Sequence, residues 1–469
     1  MQKNDVVTLR IEEINNLGCG VGHIQEADGE NGTSAGKVVF VQHAVTGDLV
    51  KARVIKVNKS YLVARAEEIL EPSDIRCKPD CTAVGCGGCI WREVSYSHEL
   101  LQKQDHVKQA FRKVGLSDVH VLPVMHTGEL TGYRNKAQYP VRRGKDGVEV
   151  GFFATKSHRL VPATDCKLQP PMFGEITAFV CRFANRYAIS AYDEESGKGL
   201  LRHVYLREGR ETGEIMVCFV LNGERMPREA EFAKELMTAF PAVVSVLINI
   251  NEKNTNVVLG ERYRLIGGKD YIEDVLCGLR FRISAGAFYQ VNHDACELLY
   301  SIAKESAALT GRETLLDLYC GIGTIGLSMA KDAKEVIGIE IVEEAVKRAT
   351  ENAVRNGIEN ASFYCGDASD AKRLLENAEA AHGALDAANT VVVFDPPRKG
   401  STRELISYVS DRDFNRVVYV SCNPDTLARD CAFFKELGYE IGAVTPVDLF
   451  PRTGHVESLV CLTRSDKAT

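Results

Sequence analysis

No apolar run in this chain approaches the roughly 20 residues of a membrane-spanning helix, so nothing in it reads as an integral membrane protein. The opening residues Met1-Gln2-Lys3-Asn4-Asp5 lack the apolar core of a secretory signal, and the cytoplasm is the expected location. Positive charge is not in excess either. Lys and Arg number 57 against 64 Asp and Glu, a net charge of −7. That balance excludes a global attraction to nucleic acid. No internal repeat or low-complexity stretch is evident.

What is present is cysteine, 15 in 469 residues. Without a signal peptide, and at this length, these do not form a disulfide scaffold. Clustered cysteines point to a metal, and isolated ones to core packing or catalysis. The length suits two or three domains, and a hydrophobic content of 45% is ordinary for a globular chain. Local charge departs from the average. Lys51, Arg53, Lys56, Lys59 and Arg65 occur without an intervening acid. Arg134, Lys136, Arg142, Arg143, Lys145, Lys156 and Arg159 outnumber Asp146 and Glu149. Such patches either hold a phosphate backbone or are solvated strand faces.

Residues 1–70 read as short strands at Val6–Ile14, Val38–Val41, Leu49–Val57 and Tyr61–Ile69, with Leu17–Gly22 as a glycine-rich turn. This spacing predicts a small OB-like β-barrel and resembles a TRAM domain. Residues 71–285 read as a central α/β domain. A helix is expected at about 93–114, with Leu100, Leu101, Val107, Ala110 and Phe111 near helical spacing. It is a candidate to pack on the domain that follows. From 286 to 469 strands alternate with helices, which predicts a parallel sheet covered on both faces.

Three features of this last region bear on chemistry. Asp317-Leu318-Tyr319-Cys320-Gly321-Ile322-Gly323-Thr324-Ile325-Gly326 leaves a strand and opens a helix, and its glycines permit close backbone approach to a ligand. Glu340 ends the next strand, suited to ribose hydroxyls. The pattern also fits a dinucleotide fingerprint with its acid about 20 residues on. Asp317 tilts the choice toward S-adenosylmethionine, whose methionine end is a zwitterion. Next, Asp395-Pro396-Pro397-Arg398-Lys399-Gly400 ends an apolar strand. Methyltransferases acting on amines often carry an aromatic where Arg398 stands, so that clamp is missing. Finally, Cys422 lies between the strand Val417–Val420 and the turn Asn423-Pro424, where an α/β enzyme presents a nucleophile. A helix beginning near Asp425 would lower the thiol pKa. The ordinary role of a lone cysteine is a small buried hydrophobe.

With Phe450-Pro451-Arg452-Thr453-Gly454-His455-Val456-Glu457, these elements resemble the RNA (uracil-5-)-methyltransferase family over nearly the whole chain. The resemblance implies a barrel, a central α/β domain bearing an iron–sulfur cluster, and a Rossmann-like class I methyltransferase domain. It implies Cys422 as nucleophile, Glu457 as general base and Asp395 beside cofactor and base. Gln290, Tyr319, Gly321, Gly323, Glu340, Asp367 and Asp395 would hold S-adenosylmethionine. Arg134, Lys136 and Gln138, with Asn135, would contact RNA. The expected substrate is RNA, ribosomal in preference to transfer RNA, with no role for DNA or a membrane and a monomer as the working unit.

Cys77, Cys81, Cys86 and Cys89 have the spacing of ligands for zinc or an iron–sulfur cluster. The resemblance favours a 4Fe-4S cluster on Cys81, Cys86, Cys89 and the distant Cys166. Two departures are the short gap between Cys81 and Cys86 and the extra Cys77, an alternative to Cys166.

Overall fold

The computed structural model describes residues 1–24, 36–155, 157–366, 373, 376, 379, 380 and 383–465. Its first unit is a six-stranded sheet, and one stretch of chain closes it. Val6–Arg10 pairs with Leu49–Val57 at one edge, and Glu13–Ile14 pairs with Cys19–His23 at the other. Because Ile11 and Glu12 join these short strands, the two edges meet in a barrel. Val7, Leu9, Val39, Val41, Val50, Val54 and Leu62 fill it. The predicted turn at Leu17–Gly22 is instead largely strand, Cys19–His23. A methyl group on Gly22 would come within 2.5 Å of the Arg10 carbonyl oxygen, and one on Gly20 within 2.8 Å of Ile11. Those glycines serve close strand approach, while Gly18, with φ 74°, turns the chain.

The central unit is a seven-stranded sheet. Helices Pro171–Arg186 and Glu229–Ala239 cover one face, through Phe173, Val180, Phe183, Phe232 and Leu236. On its other face Tyr205, Met216, Cys218 and Leu247 join a core shared with the hairpin Tyr271–Ser284 and the helix His293–Ala307. That helix escaped the sequence reading. Asn292 caps it, accepting a hydrogen bond from the Ala295 amide.

The third unit is another seven-stranded sheet. From one edge it runs Ala361–Cys365, Glu335–Glu340, Thr314–Leu318, Thr390–Phe394 and Arg416–Ser421, all parallel. Glu457–Arg464 and then Tyr439–Val447 complete it, both paired antiparallel. Ligands of such sheets bind beyond the carboxyl ends of the parallel strands. Tyr319, Glu340, Asp395 and Cys422 all lie there. Glu457 begins an antiparallel strand whose Ser458 is in register with Ser421, so it meets the same end from the opposite direction.

The helix Tyr96–Lys113 precedes the central sheet in sequence, yet it packs on this third sheet. Val107, Ala110 and Phe111 share a core with Leu427, Cys431, Tyr439 and Val444. Its buried face matches the expected one at Val107, Ala110 and Phe111 and departs from it nearer the start of the helix. Leu101 is 57% exposed, whereas Glu99 and Lys103 are completely buried. Among the described residues no helix is long and apolar enough to cross a membrane. Phe111→Ala is expected to cost about 3–5 kcal/mol, as for other buried aromatic truncations. Denaturant unfolding followed by a probe in the 286–465 region will register that loss if the helix belongs to this core.

Candidate active site

The glycine loop is built for backbone approach. Tyr319, Gly321 and Gly323 have φ of 67°, 57° and 82°. The left-handed conformation costs a tyrosine energy that the glycines avoid, and strain of this kind clusters at ligand sites. Glu340 accepts hydrogen bonds from the amides of Gly321 at 3.1 Å and Val342 at 2.9 Å. Nothing would obstruct a methyl group on Gly321, so space lies open there. Asp317 has another task. It is fully buried and accepts the Gly326 amide at 2.9 Å, bracing the loop from beneath. Burial pushes its pKa up to about 7.

A cavity of about 740 Å³ opens from this loop. Gln290, Tyr319, Gly321, Glu340, Asp395, Cys422 and Glu457 all line it, as do Arg134, Lys136 and Gln138. Asp367 lies outside the described residues. Two side chains that sequence reasoning left without a positive role also face the cavity. Arg398 had served only to mark a missing aromatic, and His455 only as a neighbour of Glu457.

Cys422, Asp395 and Glu457 all have proton affinities raised by burial. Burial, then the Asp395 charge, pushes Glu457 up to about 8, opposed by Arg398. Burial alone pushes Asp395 up to about 7. Cys422 is pushed up to about 11 by burial, then by Glu457 and Asp395, again opposed by Arg398. The helix expected after Cys422 is there, Pro424–Glu436, capped by Asn423. The upward push on the thiol comes from its burial and from the two neighbouring carboxylates.

That helix also holds the Asp395 loop. Asn423 Nδ2 donates to the Arg398 carbonyl at 3.0 Å, and Arg429 Nη2 donates to that of Lys399 at 3.1 Å. The Ser401 amide donates to Asp430 at 2.9 Å. Gly400, with φ 76°, lets the loop pass against Arg429. Cys422 and Asp395 are thereby parts of one rigid piece.

The segment Tyr133–Gln138 joins the central unit to the cavity. Asn135, expected to read RNA, is buried and does not reach it. Its Nδ2 donates to the Gln290 carbonyl at 2.9 Å and its amide to that of Val291 at 2.8 Å. Asn135 therefore fixes the segment that carries Gln290. Lys136 is pushed down to about 8 by burial and by the cations Arg207 and Arg134. Elsewhere, Arg53 of the basic barrel stretch is paired with Glu67 at 2.6 and 2.9 Å.

A second cavity, of about 560 Å³, adjoins the first and shares Arg134, Lys136, Gln138, Arg398, Phe450 and His455 with it. Cys81, Cys86, Cys89 and Cys166 all line it. Cys77 does not, and its Sγ lies 3.6 Å from the Arg92 carbonyl. Among the described residues no group of three or more His, Cys, Asp or Glu is drawn together as a formed metal site. The thiols do sense one another. Cys89 is pushed up to about 12 by burial and then by Cys166, Cys86 and Cys81. Four thiolates here need a cation to be stable together.

Residues 95–465 match the family model described as tRNA (uracil-5-)-methyltransferase, and residues 2–66 match the TRAM domain. The chain belongs to the tRNA (uracil-5-)-methyltransferase family. A protein of Clostridium acetobutylicum described as an uncharacterized RNA methyltransferase is 38% identical over 100% of this chain and 99% of its own. One of Halalkalibacterium halodurans with the same description is 39% identical over 98% of each. The crystal structure of the Pyrococcus abyssi tRNA (uracil-54, C5)-methyltransferase with S-adenosyl-L-homocysteine is similar, at a TM-score of 0.75 and 27% identity. It covers 97% of this chain and 99% of that one. The chain is thus an RNA methyltransferase with an N-terminal TRAM domain, as the motifs implied.

The coupling of the acids has a measurable sign. At the alkaline pH where Cys422 titrates, Glu457 is ionised and raises the thiol pKa. Glu457→Gln removes that charge while leaving the site equally dry. Its Cys422 should therefore ionise at lower pH, and iodoacetamide should alkylate it faster than the wild type at pH 9. An unchanged pH profile of alkylation would show that Glu457 does not act on the thiol.

Proposed function

We propose that this protein methylates C5 of a uracil in RNA through a covalent adduct with Cys422. The observation that carries this reading is the convergence of Cys422, Glu457 and Asp395 on one cavity with the glycine loop. Gln290, Tyr319, Gly321, Gly323, Glu340 and Asp395 would hold S-adenosylmethionine, with Asp367 completing the set. The open space at Gly321 and the carboxylate of Glu340 fit a nucleoside with an amino-acid tail. When bound, this cofactor supplies an electrophilic methyl group.

Uracil C5 is too electron-poor to take that group unaided. Addition of the Cys422 thiolate to C6 makes the ring an enolate with charge at C5. After methylation, C5 carries both a methyl group and its original proton. Glu457 takes this proton, the C5–C6 double bond re-forms, and Cys422 leaves with the electrons of its bond to C6. A carboxylate whose proton affinity lies near neutrality suits that transfer. Asp395, on its stiff Pro396-Pro397 loop, would orient the base. A uracil in folded RNA must leave its stack to reach the cavity, and Arg134, Lys136 and Gln138 stand at the cavity wall to receive the flipped nucleotide.

For the substrate we favour ribosomal RNA, on the barrel together with the four-cysteine cavity beside the site. Transfer RNA is the second reading, favoured by the likeness to the tRNA-directed Pyrococcus abyssi enzyme over 97% of this chain. Cys81, Cys86, Cys89 and Cys166 are the ligand set we propose for a 4Fe-4S cluster, a choice over Cys77 supported by their shared place on the second cavity. This cluster takes no part in the chemistry.

With methyl-labelled S-adenosylmethionine and RNA from a strain lacking the gene, label should appear as 5-methyluridine in the ribosomal fraction. Cys422→Ala should abolish turnover, by about 1000-fold or more for loss of a nucleophile, while still binding RNA. Label in another nucleoside, or turnover by the variant, would defeat the proposal. Protein purified without oxygen should contain iron and sulfide, and Cys166→Ser should lose them while Cys77→Ser retains them. Stoichiometric zinc would assign a different metal.

A further inference from the structure

The stretch Asp448–Gly454 leads into His455 and Glu457, and its anchorage is unusual. Lys103 lies completely buried under it. An ammonium has three donors, and here all are used. They go to Glu99 Oε1 at 2.7 Å, Asp448 Oδ1 at 2.7 Å and the Phe450 carbonyl at 3.1 Å. Both carboxylates reach the loop backbone in turn. Asp448 Oδ1 accepts the Phe450 amide at 3.1 Å, and Glu99 Oε1 accepts the Arg452 amide at 2.7 Å. Tyr96 donates its hydroxyl to Asp448 Oδ2 at 2.9 Å. Arg452 is itself held in a left-handed conformation, φ 70°, with Nη1 on the Val94 carbonyl at 2.9 Å.

None of Tyr96, Glu99, Lys103 and Asp448 lines the reaction cavity, whereas Phe450, His455 and Glu457 do. Buried ion groups are a poor means of adding stability, because desolvation offsets most of their attraction. Their strength is directional. This group fixes the backbone at Asp448, Phe450 and Arg452, and leaves only a short span before Glu457.

We propose that Lys103, clamped by Glu99 and Asp448, is a positioning residue for Glu457. Its loss should impair removal of the C5 proton more than formation of the adduct. This rests on the reading of Glu457 as the base. If proton removal fails after methyl transfer, Cys422 cannot leave, and RNA stays attached to the protein.

The test compares wild type, Lys103→Met, Tyr96→Phe and Glu457→Gln, using methyl-labelled S-adenosylmethionine and substrate RNA. Two quantities are read, released 5-methyluridine and labelled RNA that remains bound to protein after denaturation. Lys103→Met should lose about 100-fold in turnover, the scale of a misplaced catalytic group. It should accumulate the denaturation-resistant adduct, as Glu457→Gln does, with KM for S-adenosylmethionine unchanged. Tyr96→Phe buries no new charge and should show the same adduct to a smaller extent, so it decides the matter should Lys103→Met fail to fold. Adduct in Glu457→Gln but in neither other variant would overturn the positioning role alone. Absence of adduct in Glu457→Gln would overturn the assignment of the base, and the positioning role with it.

Discussion

A single ammonium without water around it organises this molecule. Lys103 belongs to a helix near the barrel end of the chain, and its partners Asp448 and Phe450 lie 345 and 347 residues further on. An uncompensated charge buried in that position costs several kcal/mol, so every compact arrangement that buries it unpaired is disfavoured. The helix must therefore lie against the third sheet, and the loop before Glu457 must close over it. The segment from the cysteine region follows. Trp91 donates its amide to the Arg452 carbonyl at 3.3 Å, and its ring lies 5.7 Å from the Lys103 nitrogen. Even the barrel is drawn in. A methyl group on Gly454 would come within 2.1 Å of the Asn16 carbonyl oxygen, so the barrel loop rests directly on the active-site loop.

The same scarcity of water governs the reaction cavity. Desolvation is the leading cause for Cys422, Asp395 and Glu457 alike, and each carboxylate adds to the burden on the thiol. Burial raises the proton affinity of all three acids above its ordinary value. Arg398 is the cation that acts against this trend on both Cys422 and Glu457. Its backbone is held by the helix that follows Cys422. Cys422, the aspartate loop and Arg398 are therefore braced by one helix, while Glu457 sits on a different strand with separate support. Precision at this site depends on two anchorages, one under the parallel strands and one under the returning strand.

Much of this was legible in sequence. Parallel strands are apolar runs ending in punctuation, and Thr314–Leu318, Val391–Phe394 and Val417–Val420 were found because each precedes Gly, Pro or Cys-Asn-Pro. Glu340, Asp395 and Cys422 stood out for the same reason, since chemistry sits at the ends of those strands, whereas Gln290 and Glu457 were marked by the family resemblance. Less legible were groups whose role depends on a distant partner. Lys103 carries no signal in the sequence, since an ammonium is ordinarily exposed, and only the fold brings Asp448 to it. Asn135 was expected at the RNA through the family resemblance of its stretch, yet it is spent on the Gln290 backbone. Glycine misled in the barrel, where closeness of strands, and not reversal of the chain, required it at Gly20 and Gly22.

The position of the helix Tyr96–Lys113 also has a consequence for the life of the chain on the ribosome. Its core partners, Leu427, Cys431, Tyr439 and Val444, are synthesised last. At about 5–20 residues per second, the helix emerges tens of seconds before they do. During that interval Val107, Ala110 and Phe111 lack these partners, while the barrel sheet is already whole and the central sheet, ending at Gly268, is completed on the way. The third sheet can close only after its strand Glu457–Arg464 has been synthesised. An incomplete product therefore lacks the assembled site altogether, and exposes an apolar helix face suited to capture by a chaperone.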